Sequence, residues 1–278
     1  MYIGKIDSKI NYFNYVTYVY FNFVNNMFIV YICYMKNIFP KILVACPTAD
    51  AKNYTALEWM QNTQLFNYPN YDVVVFDNTD DSGLNTDYLN NLAKDNGILN
   101  YEAIHYSNNK HENLIERMCI SHNLCRDYAI NNGYSYLFHL ESDVICPIDA
   151  LQNLYIANKK VIGGLYYIDS GKSRRLMAQT RIYKSSNNIV SENFLPTEDV
   201  FFIDGSIKQN AHIGLGCMLI NVSVLKKIKF RFVENLNLHS DSFFAEDCYR
   251  NKIKIFANTN IICKHNNENW GVHGLNWK

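Results

Sequence analysis

Glu141-Ser142-Asp143 puts two carboxylates one residue apart, directly after the apolar run from Tyr134 to Leu140. Where an alternating strand gives way to a loop, residues i and i+2 point to the same side, so both acids can face one cleft. Two hard oxygen donors so placed hold a divalent cation of the Mg2+ or Mn2+ kind. Such a cation bridges phosphate oxygens and stabilises charge gathering on a leaving group. An acid-x-acid triplet is also common in polar loops, so its weight depends on its surroundings. The sequence holds no G-x-x-x-x-G-K-[ST], and no G-x-G-x-x-G opens a helix after the first strand. A bound nucleotide would therefore be held through metal and side chains, without a glycine-rich phosphate cradle.

The elements that must position this triplet can be read from the pattern around it. Lys41-Ile-Leu-Val-Ala-Cys46 is a continuous apolar run that stops at Pro47-Thr48, which predicts a strand buried on both faces. Residues 53–66 have helical spacing of Leu57, Met60 and Leu65, and Tyr71 to Phe76 reads as a second buried strand ending at Asp77-Asn78. A helix over 84–94, a strand over 98–106, a helix over 112–130 closed by Asn131-Asn132-Gly133, and the strand 134–140 follow. This β-α alternation predicts an α/β fold with a Rossmann-like, mostly parallel central sheet flanked by helices. Ligands of such sheets bind at the carboxyl ends of the strands, where Pro47-Thr48, Asp77 and Glu141-Ser142-Asp143 all stand.

Composition narrows the partners. The 278 residues carry 26 Lys+Arg against 26 Asp+Glu, a formal net charge of zero. A protein that grips nucleic-acid backbone needs a basic excess, so a nucleic-acid partner is excluded as the main reading. The eight cysteines never form C-x-x-C and several sit inside apolar runs, which predicts reduced core thiols of a cytoplasmic protein.

Beyond the triplet, the order of motifs resembles the nucleotide-sugar glycosyltransferases of the A-type (GT-A) fold, of the family 2-like kind found in bacteria and viruses. The resemblance rests on Arg126 in a helix, the Gly133 turn, the strand into Glu141-Ser142-Asp143, Val161 to Tyr167, Gly214-Leu-Gly-Cys-Met-Leu-Ile220, Phe243-Phe-Ala-Glu-Asp247, and the late strands ending at His265. It spans about residues 41 to 268. It implies a metal-dependent glycosyltransferase that moves a sugar from a UDP- or GDP-sugar to a hydroxyl acceptor on a glycan, protein or lipid.

The resemblance also implies roles. Asp143 would be the direct metal ligand and Glu141, where the family usually has Asp, would act through water or the ribose. His265 would complete the metal site, with His273 as its rival. Asp247 would be the base of an inverting reaction, with Glu246 positioning the acceptor or substituting for it. Pro47, Thr48, Asp77 and Ser142 would line the nucleotide pocket. Arg126 would contact the diphosphate or pair with an acid such as Asp143. Gly214, Gly216 and Tyr166 would lie on the acceptor and sugar side, although strand aromatics such as Tyr166 and Tyr167 are usually core. The irregular stretch 170–211, with Arg174, Arg175 and Arg181, is where acceptor specificity is expected. The alternatives are a retaining transferase on the same fold and a catalytically silent glycan- or nucleotide-binding module.

Residues 1–38 stand apart from the domain expected over 39–278. No charge occurs from Asn11 to Met35, but asparagines interrupt the run and polar amides are costly in a bilayer. Membrane association through residues 12–35 is the less favoured expectation. An extension, or upstream sequence before a true start at Met35, is favoured.

Overall fold

The computed structural model describes residues 38–79, 82–107, 113–169, 174–182, 194–196, 202–234, 236 and 238–267. The expectations for residues 1–37 and for His273 lie outside the described residues, as do Asp80 and Asp81. The site and the sheet that carries it belong to the unit that begins at Pro40. Among the described residues no helix is long and apolar enough to cross a membrane.

The first half alternates as its apolar pattern requires. Strand β1 (Ile42–Thr48) is buried at every position except Pro47. It leads through a 3-10 turn at Asp50–Lys52 into helix α1 (Ala56–Gln64). Strand β2 (Tyr71–Asp77), α2 (Leu84–Asp95), β3 (Tyr101–His105), α3 (Leu114–Asn131) and β4 (Tyr136–Leu140) follow. The Asn113 side chain caps α3 by accepting from the Ile115 and Glu116 amides. Gly133, at φ +73, makes the left-handed turn into β4. These four strands pair parallel in the order β4-β1-β2-β3. Their carboxyl ends therefore share one edge of the sheet.

The second half changes direction. The short β5 (Val144–Ile145) and α4 (Ala150–Ile156) lead to β6 (Val161–Asp169), β7 (Arg174–Leu176), β8 (Ala178–Ile182), β9 (Phe194–Pro196), β10 (Ile207–Asn210) and β11 (His212–Ile213). Then come β12 (Cys217–Asn221), α5 (Val222–Leu225), α6 (Ser240–Arg250) and β13 (Ile255–His265). Strand β12 runs antiparallel between β4 and β6, and the main path reads β10-β13-β6-β12-β4-β1-β2-β3. The sheet is thus mixed: parallel from β4 to β3 and between β6 and β13, antiparallel where β12 and β10 enter. The late strands expected as two are one, with a register shift between Ala257 and Ile262.

The described cysteines, Cys46, Cys119, Cys125, Cys146, Cys217, Cys248 and Cys263, are all free and buried. Leu43, Ala45, Leu137, Leu165 and Ile220 interlock in the central core from both halves.

Candidate metal and donor site

The triplet sits where β4 ends, on the shared carboxyl edge. The Glu141 amide donates to the Gly216 carbonyl and the Val144 amide to the Glu141 carbonyl, which folds Ser142 and Asp143 into a tight turn. The segment after the turn is β5, and β5 pairs antiparallel with the last residues of β13, His265 opposite Val144. The Asn266 amide donates to the Asp143 carbonyl. Backbone pairing therefore delivers a histidine 122 positions later in the chain to the carboxylates (265 minus 143). His265 Nε2 lies 3.6 Å from Asp143 Oδ2, and its Nδ1 is 3.0 Å from the Tyr167 carbonyl. That second contact fixes Nδ1 as the donor and turns Nε2 to the acids, the arrangement typical of ligating histidines.

One ligand atom from each of Glu141, Asp143 and His265 lies within 4.8 Å of the others. Two carboxylates and one imidazole form a hard and borderline donor set that fits Mn2+ or Mg2+. Burial and then the Asp143 charge push Glu141 up to about 7. Asp143 is 1 % exposed; its burial opposes ionisation, but His265 and Lys52 outweigh it and hold the carboxyl well below the usual range. For His265, burial disfavours the charged ring, yet Asp143 and then Glu141 raise its affinity for a proton.

Besides His265, Asp143 meets Lys52, whose ammonium bonds Asp143 Oδ2 from the β1–α1 loop. The loop is pinned on both sides. The Asp50 amide donates to Thr79 Oγ1, the Tyr54 hydroxyl to the Asn266 carbonyl, and the Asn266 side chain to Thr55 and Glu58. Thr48 Oγ1, at the end of β1, lies 3.4 Å from Ser142 Oγ. Thr48 thus touches Ser142 of the triplet, and Pro47 precedes it at the end of β1.

A further carboxylate faces the same neighbourhood. Asp241, in the first turn of α6, lies 3.5 Å from His212 Nε2 of β11, and its side chain is 17 % exposed. Burial opposes its charge, but His212 and then His239 hold it well below the usual range. Its charge reaches Glu141 and Tyr166. Behind it, His122 Nδ1 is 2.6 Å from Ser240 Oγ, and the His122 and His139 rings meet edge to face at 4.9 Å. Burial pushes His139 down to about 4, and burial and then His139 lower His122, so both rings are neutral supports. Sequence reasoning missed Asp241, His212, His122, His139 and Lys52. An available signal was His139-x-Glu141-x-Asp143, three chemistry-bearing residues at alternating positions.

The other expected site residues have these partners. Asp247 gives both oxygens to Arg231, at 2.8 and 3.3 Å. Glu246, 2 % exposed, is bound by Arg231 at 2.7 Å and by Arg250. At about 100° per residue, positions five and six beyond Asp241 leave the helix on other faces. Both acids are held in ion pairs with Arg231, and Glu246 also with Arg250. Asp77 is fully buried, with Oδ1 taken by Thr79 and Asn85 and Oδ2 by Thr86, so it organises the β2–α2 loop rather than lining a pocket. Arg126 is not at the cleft: its Nε donates to the Leu225 and Ile228 carbonyls and its Nη1 to Asp127, because it lies near the far end of α3.

Gly214, Gly216 and Tyr166 form packing, not a sugar platform. Tyr166 is 4 % exposed, and its hydroxyl accepts from the Gly216 amide at 3.1 Å. A Cβ on Gly214 would stand 2.0 Å from that hydroxyl, and one on Gly216 would be 2.5 Å from the ring. The two glycines let the phenol lie flat against the backbone, where its ring meets the His265 ring edge to face at 5.1 Å. Tyr166 thus braces the histidine from behind. Of the stretch expected to carry acceptor specificity, the side chains of Arg174 and Arg181 lie outside the described residues.

No known protein-family profile matches the sequence, and no curated protein matches it. Solved structures do. GalNAc-T7 with UDP, GalNAc and Mn2+ is 12 % identical with a TM-score of 0.54, over 81 % of this chain and 44 % of that one. S. aureus TarS 1-349 in complex with UDP-GlcNAc is 14 % identical with a TM-score of 0.50, over 81 % and 58 %. A197 from STIV also matches, at 15 % identity and a TM-score of 0.41, over 81 % and 85 %. The chain thus spans about half the length of the two glycosyltransferase structures. At these identities the likeness shows the fold alone, and that fold is GT-A-like.

Proposed function

We propose that this chain is a divalent-metal-dependent glycosyltransferase that takes a nucleoside-diphosphate sugar, with UDP-sugars the favoured donors. The observation that carries the reading is the Glu141, Asp143 and His265 cluster at the carboxyl edge of a GT-A-like sheet. The fold is shared with proteins captured with UDP, Mn2+ or UDP-GlcNAc, which supports the donor class and the ion.

In this reading Asp143 and His265 hold the cation directly, and Glu141 ligates it or orients a ligand water. A cation held there would supply the positive charge that balances the two phosphates of the leaving nucleotide. Pro47 and Thr48 form the wall of the nucleotide pocket, and Ser142 adds a hydroxyl beside the metal ligands. Transfer to a hydroxyl acceptor needs a group that accepts the acceptor's proton as the anomeric carbon is attacked. Asp241 takes that role in place of Asp247. It is ionised throughout the neutral range, is partly open to solvent, and its charge is felt at Glu141. His212 orients it. With Asp241 as the one base and no covalent nucleophile required, the transfer in this reading inverts the anomeric carbon.

The test is direct. Purified protein with Mn2+ and a panel of UDP- and GDP-sugars should release nucleoside diphosphate, and Asp143→Ala should stop it. Product-anomer NMR then reads inversion. Absence of any metal or nucleotide-sugar binding, or an Asp143→Ala protein that behaves like wild type, defeats the reading.

A further inference from the structure

We propose that Lys52 is a built-in counter-ion of the metal site: its ammonium holds the Asp143 carboxylate until a divalent cation arrives, then yields that oxygen and turns to the phosphates of the bound nucleotide. The inference rests on the metal-binding reading and assigns a role to a residue that reading does not use.

The geometry is specific. Lys52 bonds Asp143 Oδ2, the same oxygen that faces His265 Nε2. Asp143 is 1 % exposed, so water cannot balance its charge, whereas the Lys52 side chain is 20 % exposed and keeps a route outward. A buried carboxylate without a compensating charge is strongly unfavourable, and Lys52 supplies one beside His265. A dication on the same oxygen repels an ammonium there with twice the force of a single charge. Both cannot stay. The loop is tied through the Asp50 amide to Thr79 and through the Tyr54 side chain to the Asn266 carbonyl, so the exchange falls to the flexible four-carbon stem. Lys52 follows the strand end that carries Thr48, on the edge where the diphosphate would lie. A displaced ammonium there meets two phosphates, and one charge serves first the empty site and then the loaded one.

The experiment is an Mn2+ titration by electron paramagnetic resonance without nucleotide, on wild type and Lys52→Met. The variant is expected to bind Mn2+ at least about tenfold more tightly, because no ammonium competes. With saturating Mn2+, the same variant is expected to bind UDP at least about fivefold more weakly, having lost a phosphate contact. Wild type that binds Mn2+ with an affinity the variant does not exceed overturns the proposal and leaves the metal reading standing. No Mn2+ binding by either protein overturns both. Wild type alone gives a second measurement that does not depend on a variant folding. Labelling of Lys52 by an amine reagent, read by mass spectrometry, should rise at least about threefold on adding Mn2+ and fall again with UDP. Labelling indifferent to Mn2+ overturns the proposal.

Discussion

Two acidic pairs, Glu141 with Asp143 and Glu246 with Asp247, lie in the same fold, yet their charge is handled in opposite ways. Glu246 and Asp247 meet two guanidiniums, Arg231 and Arg250, and Arg231 also stacks 4.3 Å over the Phe243 ring. Their charge is matched by residues held within fifteen or sixteen positions of them. That is a structural clasp between α6 and the segment that follows α5. Glu141 and Asp143 share one lysine and one histidine, both held at Asp143, while burial and then the Asp143 charge raise the proton affinity of Glu141. Charge balance, more than the presence of acids, separates a ligand site from a clasp.

The contrast can be broken by mutation, starting where the effect should be greatest. Asp143→Asn removes the central ligand, and since metal charge stabilisation supplies several kcal/mol, nucleotide-sugar turnover should fall roughly 10³-fold or more, with Mn2+ binding lost in the same titration. Asp241→Asn should lower kcat by roughly 10²- to 10³-fold while Mn2+ affinity stays near wild type, the signature of a lost base. Asp247→Asn, measured beside it, should retain turnover within about threefold, as exchange of a surface-facing clasp residue does. If the two variants trade places in that assay, the base belongs to the clasp after all.

The pH response sharpens the same contrast. Below about 7 the native protein holds a proton on Glu141 that a cation must displace. Mn2+ affinity should therefore weaken by up to about tenfold per pH unit from pH 7 to pH 5, and Glu141→Gln should flatten that slope. The sign for stability is the reverse. The native state binds this proton more tightly than the unfolded chain, so the metal-free fold loses that contribution as pH rises from the ordinary glutamate value through about 7. Asp143, held low, acts oppositely: its contribution is present at neutral pH and is lost in acid. Calorimetry across pH, with and without Mn2+, reads both.

Glu246→Gln, the smallest effect on activity, should cost about 2 kcal/mol of stability in a urea melt because it leaves two guanidiniums short of a partner, with turnover near wild type.

Much of the parallel half is legible from the chain alone. Ile42 to Cys46 and Tyr71 to Phe76 are apolar almost without a break, and a strand buried on both faces needs little else to declare itself. Glu141-Ser142-Asp143 declares itself through its place after β4. The partners of the other expected residues are less legible, and for one cause. Motif order points to Asp77, Arg126, Glu246 and Tyr166, but whether a polar side chain faces a cleft or a buried partner depends on other residues, many of them far away in sequence: Asn85 and Thr86, Leu225 and Ile228, Arg231, and Gly214 and Gly216. Asp241 gives no signal in the sequence because a serine-aspartate pair at a helix start is ordinary capping chemistry, and its meaning comes from His212.

By itself, then, the sequence determined the α/β alternation, the strand ends and the identity of the central acids, because local hydrophobic period and turn residues act over a few positions. Only the tertiary structure decided which charges compensate which. The β5–β13 pairing brings His265 to Asp143, a pinned loop brings Lys52 to the same oxygen, and α6 sets Asp241 against His212 while Glu246 and Asp247 meet Arg231. Electrostatic interactions are set by distance and burial in space, and neither is a property of position along the chain.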